Sequence, residues 1–248
     1  MEAVLMAGGF ATSAPEMVTS LKAIHAGSPG LAVGNVIGSN VANILMVLGA
    51  AALISPIVTN PKALARDTIF MIAATLAFCL LLYFDMFSRW VGIGLCVALV
   101  LYLVSSILAD KVGGDAADLH AEEGEAMLGD ESLFKALFFS FVGVAGVIIG
   151  ADLLVRGAQD VALEFGVSET IIGLSVVAIG TSLPELVTAV LSALKGKADV
   201  ALGTVIGSNI FNILGIIGIS ALVFPFSVDV PISAGAAMGQ MDSLVSWE

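Results

Sequence analysis

The chain has 248 residues, of which 58% are hydrophobic and only 12% charged, and its mean hydropathy is +1.06. No soluble domain hides that much apolar surface, so the chain belongs in a bilayer. The net charge of −12 excludes a nucleic-acid partner. It does not signal a cationic one either, because Asp110, Asp115, Asp118, Glu122, Glu123, Glu125, Asp130 and Glu131 fall in one polar stretch whose simplest role is solvation.

A membrane span needs about 20 mostly apolar residues. Seven segments qualify, at 2–25, 30–55, 67–84, 89–109, 133–158, 167–194 and 199–226. Pro56 and Pro61 mark one boundary and Lys195-Gly196-Lys197 another. The acidic, glycine-containing stretch 110–132 divides the chain into a first half, 1–109, and a second half, 133–226, followed by a tail, 227–248. The sequence opens almost at once in a span that belongs to the repeated motif, so no secretory signal is expected among these residues. Cys79 and Cys96 stand alone in apolar runs without metal-ligand spacing, as lipid-facing or packing residues would.

The two halves carry the same motif pair. TSAPEMVT (Thr12 to Thr19) and GNVIGSNVANIL (Gly34 to Leu45) recur as TSLPELVT (Thr181 to Thr188) and GTVIGSNIFNIL (Gly203 to Leu214). A constant offset of 185 − 16 = 169 aligns them without a gap, with 21 of 48 positions identical between 10–57 and 179–226. The first glutamate lies in span one and its counterpart in span six. Five spans apart, the copies cross the membrane in opposite directions. Internal repeats of this kind build binding sites at the interface of two halves. The loops after spans two, four and six carry Lys62, Arg66, Lys111, Lys135, Lys195 and Lys197, against Lys22, Arg89 and Arg156 on the other side. The excess places the acidic loop in the cytoplasm.

Pro15 and Pro184 have no N–H, so the carbonyls of Ala11 and Gly180 lose their helical partners. Inside a bilayer such carbonyls are tolerated where they line a cavity. Beside them stand Thr12, Ser13 and Glu16, or Thr181, Ser182 and Glu185. Carboxylate, hydroxyl and carbonyl together make a hard oxygen donor set that suits Ca2+ and Na+. An unpaired carboxylate at membrane depth costs at least ~2.5 kcal/mol on insertion scales, which marks Glu16 and Glu185 as functional. In the second element Gly34 and Gly38, like Gly203 and Gly207, form a GxxxG face for close helix approach. Ser39 and Asn43, or Ser208 and Asn212, share one helical face and can point at the glutamates. Ser39, Asn40, Ser208 and Asn209 taken singly also fit plain interhelical glue.

Other ionisable groups read more simply. Asp152, Arg156 and Asp160 lie four apart on one helix, the pattern of an intrahelical ion pair near the membrane surface rather than of a second cation site. Asp67 and Asp85 fall at span ends, and His25 and His120 in loops. No catalytic triad, phosphate-cradling loop or zinc signature is present in the sequence, so the chain reads as no enzyme.

The pattern G-[TS]-S-x-P-E followed by G-[NT]-x-I-G-S-N-x-x-[ND] resembles the alpha repeats of the cation/calcium exchanger superfamily, most closely the sodium/calcium exchangers and their bacterial relatives. The resemblance implies an all-α membrane protein: an inverted-repeat transmembrane helix bundle of ten helices in two five-helix halves, of which this chain holds about seven. On that expectation it is shortened at both ends, lacking a helix before the first copy and two after the second. The resemblance further implies a secondary antiporter that exchanges Ca2+ for Na+ by alternating access, in a bacterial or archaeal plasma membrane. Glu16 and Glu185 become the carboxylates shared by both ions. Thr12, Ser13, Thr181 and Ser182 become hydroxyl and carbonyl ligands, with Ser39, Asn43, Ser208 and Asn212 completing the centre. The ions are cargo and no resident cofactor is implied; the expected partners are Ca2+, Na+, the lipid bilayer and a complementary fragment or second copy.

The chain departs from the pattern in two places. Ala11 stands where the family usually has glycine, and Asn212 where several sodium/calcium exchangers have aspartate. Two acids remain, enough to balance one Ca2+ but not three Na+. Two alternatives stay open: a Ca2+/H+ antiporter, although those proteins generally carry G-N-x-x-E where this chain reads GNVIG and GTVIG, or a non-transporting fragment that at most binds cations.

Overall fold

A computed structural model of the protein describes residues 12–58, 61–112 and 133–228. Every element among them is helical: α1 (Ala14–His25), α2 (Pro29–Ile54), α3 (Pro61–Tyr83), α4 (Arg89–Val112), α5 (Leu133–Phe165), α6 (Glu169–Thr181), α7 (Leu183–Leu194) and α8 (Ala198–Val223). Four of these helices are long and apolar enough to cross a membrane: α2, α8, Leu64–Tyr83 within α3 and Arg89–Leu108 within α4. The acidic stretch 113–132 and His120 within it lie outside the described residues, as do the first half of span one, Ala11 and the tail from 229.

The sequence repeat is a structural repeat to the residue. Adding 169 to the bounds of α1 and α2 returns those of α7 and α8, and the π-helical turn Asn43–Leu48 of α2 recurs as Asn212–Ile217 in α8. Gly27 and Gly196 end the equivalent helices α1 and α7 with φ of 81° and 75°, a left-handed turn that costs glycine nothing.

Span six is not one helix. It breaks between α6 and α7 with a bend of 43°, and α6 itself contains a π-helical turn, Gly173–Val177. Pro184 sits in the first turn of α7, where no N–H is needed for the helix, so the proline starts a new helix rather than kinking a continuous one. Helix α3 also begins earlier than the apolar run suggested, at Pro61, and α5 runs on to Phe165.

The loops sort onto two ends of the bundle. On one end His25 packs its ring 5.4 Å from Phe224, Phe226 N–H donates to Phe87 O at 3.3 Å and Val228 N–H to Asp85 Oδ1 at 2.8 Å. At the same end Ser28 Oγ donates to Glu169 Oε1 at 2.8 Å and Gln159 Nε2 to Ser28 Oγ at 2.6 Å. His25 therefore closes α1 rather than lying in a loop. Asp67 is not at a cheap exposed end: it is buried in the second turn of α3, held by Arg66 Nε at 2.8 Å, while Arg66 Nη2 donates to Ser106 at 3.0 Å. The expected intrahelical pair forms, with Arg156 Nε 2.9 Å from Asp152 Oδ2, and Lys22 of α1 joins it at 3.0 Å.

Packing is unequal between the copies. Helix α8 is enclosed, its Ile210, Ile213, Ile216 and Ile217 buried against α3 and α4 through Phe78, Leu95 and Tyr102. Its counterpart α2 exposes Leu45 and Leu53, at 72% and 91%, as lipid-facing residues do. On its other side α2 approaches α6 so closely that a Cβ on Gly34 or Gly38 would strike the Thr170 or Leu174 carbonyl. The GxxxG face of the first copy thus packs on the bent span of the second.

Candidate cation site

Both helix breaks occur one residue before a helix start. Ser13 (φ −80°, ψ 8°) and Ser182 (φ −85°, ψ 5°) leave helical geometry ahead of α1 and α7. This makes Glu16 and Glu185 the third residues of helices whose first-turn N–H groups have no intrahelical acceptor and whose dipole is positive at that end. Both glutamates are 0% exposed, and neither has a Lys, Arg or His ion-pair partner among the described residues.

Each carboxylate is served by the opposite repeat. Ser13 Oγ donates to Glu185 Oε1 at 3.3 Å, and the equivalent Ser182 Oγ donates to Glu16 Oε1 at 3.4 Å. Ser208 Oγ adds a bond to Glu185 Oε1 at 3.3 Å and lies against the Ser13 hydroxyl. Thr12 stands beside the Glu185 carboxylate and Thr181 beside that of Glu16. Ser39 departs from the symmetry: its hydroxyl lies 3.4 Å from Thr181 Oγ1 and makes no bond to Glu16, contrary to the expectation from its helical face. The same Thr181 hydroxyl lies 3.0 Å from Asn35 Oδ1 and 3.2 Å from Ala178 O. The second copy has Thr204 at the position equivalent to Asn35.

Four asparagines meet across the crossing of α2 and α8. Asn40 Nδ2 donates to Asn209 O, and Asn209 Nδ2 to Asn40 O, both at 3.3 Å. Asn43 Nδ2 donates to Asn209 Oδ1 at 3.1 Å and Asn212 Nδ2 to Asn40 Oδ1 at 3.0 Å. Four acceptor oxygens of the glutamates and asparagines are buried without a hydrogen-bond donor: Glu16 Oε2, Glu185 Oε2, Asn43 Oδ1 and Asn212 Oδ1. A buried acceptor left unmade costs ~1–3 kcal/mol and more when charged. An unpaired set of two carboxylate and two amide oxygens, with serine and threonine hydroxyls beside it, is what a hard cation replaces its hydration shell with. No three His, Cys, Asp or Glu converge among the described residues, so soft-metal chemistry has no donors here.

Of the ten sequence-selected residues, Thr12, Ser13, Glu185 and Ser208 meet around one carboxylate and Glu16, Thr181, Ser182 and Ser39 around the other, while Asn43 and Asn212 bond to Asn209 and Asn40 at the crossing of α2 and α8. Asn40 and Asn209, which the sequence also let stand as interhelical glue, do bridge α2 and α8, whereas Asn35 carried no sequence expectation. Asn35 extends the Ser39/Asn43 stripe one turn back, a spacing visible in the sequence. Its other bonds run to Ser20 Oγ at 3.1 Å and Glu16 O at 3.4 Å, so it also fixes the first copy's hairpin.

The model of the family described as sodium/calcium exchanger protein matches residues 4–108 and 135–241. Inner membrane protein YrbG of Escherichia coli is 37% identical over 221 residues, 88% of this chain and 68% of its own length. Sodium/calcium exchanger MaX1 of Methanosarcina acetivorans is 33% identical over 253 residues, 88% of this chain and 71% of its own length. Among solved structures, the sodium-calcium exchanger NCX_Mj soaked with Na+ and Ca2+ superposes with a TM-score of 0.62 at 32% identity, over 98% of this chain and 76% of that one. With both repeats matched, the chain belongs to the sodium/calcium exchanger family.

Proposed function

We propose that the chain is a secondary antiporter that exchanges Ca2+ for Na+ across a membrane, with both ions held in turn between the two repeats. The observation that carries this reading is the pair of fully buried glutamates, each with one oxygen held by a serine of the opposite repeat and the other oxygen unpaired. Glu16 and Glu185 are the carboxylates that compensate the ion. Thr12, Ser13, Thr181, Ser182 and Ser208 supply or orient hydroxyl oxygens, and Asn43 and Asn212 supply amide oxygens, with Ser39 acting through Thr181. Because the two halves run oppositely and each completes the other's carboxylate, a relative movement of the repeats changes both ends of the site together. The names of MaX1 and NCX_Mj support the ion pair, and that of YrbG supports a plasma membrane of a prokaryotic cell.

The test is radioactive Ca2+ uptake into sodium-loaded proteoliposomes, with the outward sodium gradient present or collapsed. Uptake that requires the gradient and is lost in Glu185→Gln is the expected result. Uptake driven by a pH gradient in the absence of sodium would overturn sodium coupling in favour of proton coupling.

A further inference from the structure

A hydroxyl that ligates a cation turns its proton away from the ion, towards an acceptor. For Thr181 the first repeat supplies that acceptor. Asn35 is 0% exposed, and its amide lies 3.4 Å from the backbone oxygen of Glu16. A backbone carbonyl only accepts, so the atom that meets it is Nδ2. Ser20 Oγ, at 3.1 Å, accepts from the same nitrogen. The amide oxygen of Asn35 is thereby aimed at Thr181 Oγ1, 3.0 Å away, and Thr181 is its one donor among the described residues.

Thr181 has one proton and three acceptors around it: Asn35 Oδ1 at 3.0 Å, the Ala178 carbonyl at 3.2 Å and the Glu16 carboxylate beside it. Ala178 O already takes the Ser182 N–H at 3.0 Å. Asn35 Oδ1 has no substitute donor, and a buried acceptor left without one is destabilising. The proton therefore goes to Asn35. Ser39, whose hydroxyl is 3.4 Å from Thr181 Oγ1, is then the donor in that contact. What Thr181 presents to Glu16 is a lone pair. Two buried oxygens, one of them charged, face each other with no proton between them, and a cation is what such a pair accommodates.

We propose that Asn35 is a positioning residue that holds the Thr181 proton away from Glu16, so that the Thr181 hydroxyl serves the ion as an oxygen ligand instead of bonding to the carboxylate. Without the amide oxygen, the charged carboxylate is the strongest acceptor in reach of Thr181, and an entering ion must first break that bond. The second copy has Thr204 at the equivalent position, 4% exposed, whose hydroxyl brings a proton of its own and so does not demand one from Thr12. The two copies thus offer the ion unequal threonines. The inference rests on the reading of Glu16 and Glu185 as the ion's carboxylates and adds a residue that tunes one of them.

The experiment is equilibrium binding of radioactive Ca2+ to the purified protein in sodium-free detergent solution, titrated to millimolar concentrations, with thermal midpoints of the ion-free proteins measured alongside. Asn35→Leu keeps the size of the side chain and removes the amide oxygen. It should raise the Kd for Ca2+ about tenfold, the strength of a hydrogen bond to a charged group. Unchanged affinity in Asn35→Leu, with binding still lost in Glu16→Gln, overturns the role of Asn35 but leaves the carboxylate reading standing. Absence of Ca2+ binding by the parent overturns both.

A double-mutant cycle separates positioning from packing. In a Thr181→Val background there is no proton to misdirect, so adding Asn35→Leu should leave the Ca2+ Kd within about twofold while still lowering the thermal midpoint. In a Thr181→Ser background the hydroxyl remains, and Asn35→Leu should again cost about tenfold in affinity. Equal losses in the two backgrounds would mean that Asn35 only packs, and would overturn the proposal. Should Asn35→Leu yield no monodisperse protein, Asn35→Thr, the residue of the second copy, carries the same cycle with a smaller expected rise of about threefold, and the same two outcomes decide it.

Discussion

Ser13, in the turn before the first helix of one repeat, donates to Glu185 in the first turn of the other repeat at 3.3 Å. Each carboxylate takes a bond from the other repeat, and Glu185 takes a second from Ser208 of its own. The mirror contact, Ser182 to Glu16, means that separating or tilting the repeats disturbs both acids at once. Binding of an ion and the relative position of the two halves are therefore linked through short, directional contacts rather than through distant ones.

Replacing the acid removes the charge without changing the shape. Glu185→Gln should reduce Ca2+ exchange by two orders of magnitude or more, ~3–5 kcal/mol being the cost of removing one partner from a buried charged pair. The thermal midpoint in detergent should stay within a few degrees of the parent, because the neutral amide relieves an unpaired buried charge. Full exchange activity in this variant would remove Glu185 from the site.

The serines should behave as a pair. Ser13→Ala and Ser182→Ala each delete one bond to a carboxylate, a type of contact that contributes ~1.5–3 kcal/mol, so each should weaken Ca2+ half-saturation by about tenfold or more. Ser13→Ala should be the more severe, since the Ser13 hydroxyl also meets Ser208. Equal transport by both variants and the parent would show that the hydroxyls are spectators.

Close approach of α2 and α6 depends on the missing side chains at Gly34 and Gly38. Gly38→Ala places a methyl group on the Leu174 carbonyl and on Ala178, and overpacking of this kind costs ~1–3 kcal/mol. Gly49→Ala, in the same helix with nothing within 4 Å of the new Cβ, should be neutral or stabilising by up to ~1 kcal/mol. Thermal unfolding in detergent, read by size-exclusion chromatography, separates the two; equal midpoints would contradict the packing.

The Lys22–Asp152–Arg156 cluster is a structural ion network, not a second site. Its side chains are 32%, 38% and 73% exposed, and exposed pairs contribute ~0–1 kcal/mol. Asp152→Asn should leave Ca2+ half-saturation unchanged and lower stability by no more than that. A large loss of Ca2+ affinity would assign it a role in binding.

Selectivity should follow the donor set. Mg2+ demands near-ideal octahedral geometry and gives up its water reluctantly, whereas Ca2+ accepts irregular oxygen cages. A tenfold excess of Mg2+ should leave Ca2+ uptake almost unchanged, and strong competition would argue for a smaller, water-retaining site.

Much of this was legible along the chain. The repeat, the glutamates and the stripes at 39/43 and 208/212 are visible because transmembrane helices repeat every 3.6 residues and because an acid in an apolar run has few explanations. Local chemistry also placed a backbone break beside each proline. Its position, at Ser13 and Ser182 rather than at the proline, needed the structure, since a proline is as compatible with a helix start as with a kink. Asn35 shows the same limit: its spacing put it on the site face, but its bond to Thr181 joins residues 146 positions apart. What the sequence by itself determined was the donor set and the two-fold plan, because both are properties of composition and spacing. Which oxygens are satisfied and which remain open to an ion was decided only when the repeats crossed, because each carboxylate takes a serine bond from the opposite half and Asn40, Asn43, Asn209 and Asn212 bond across it.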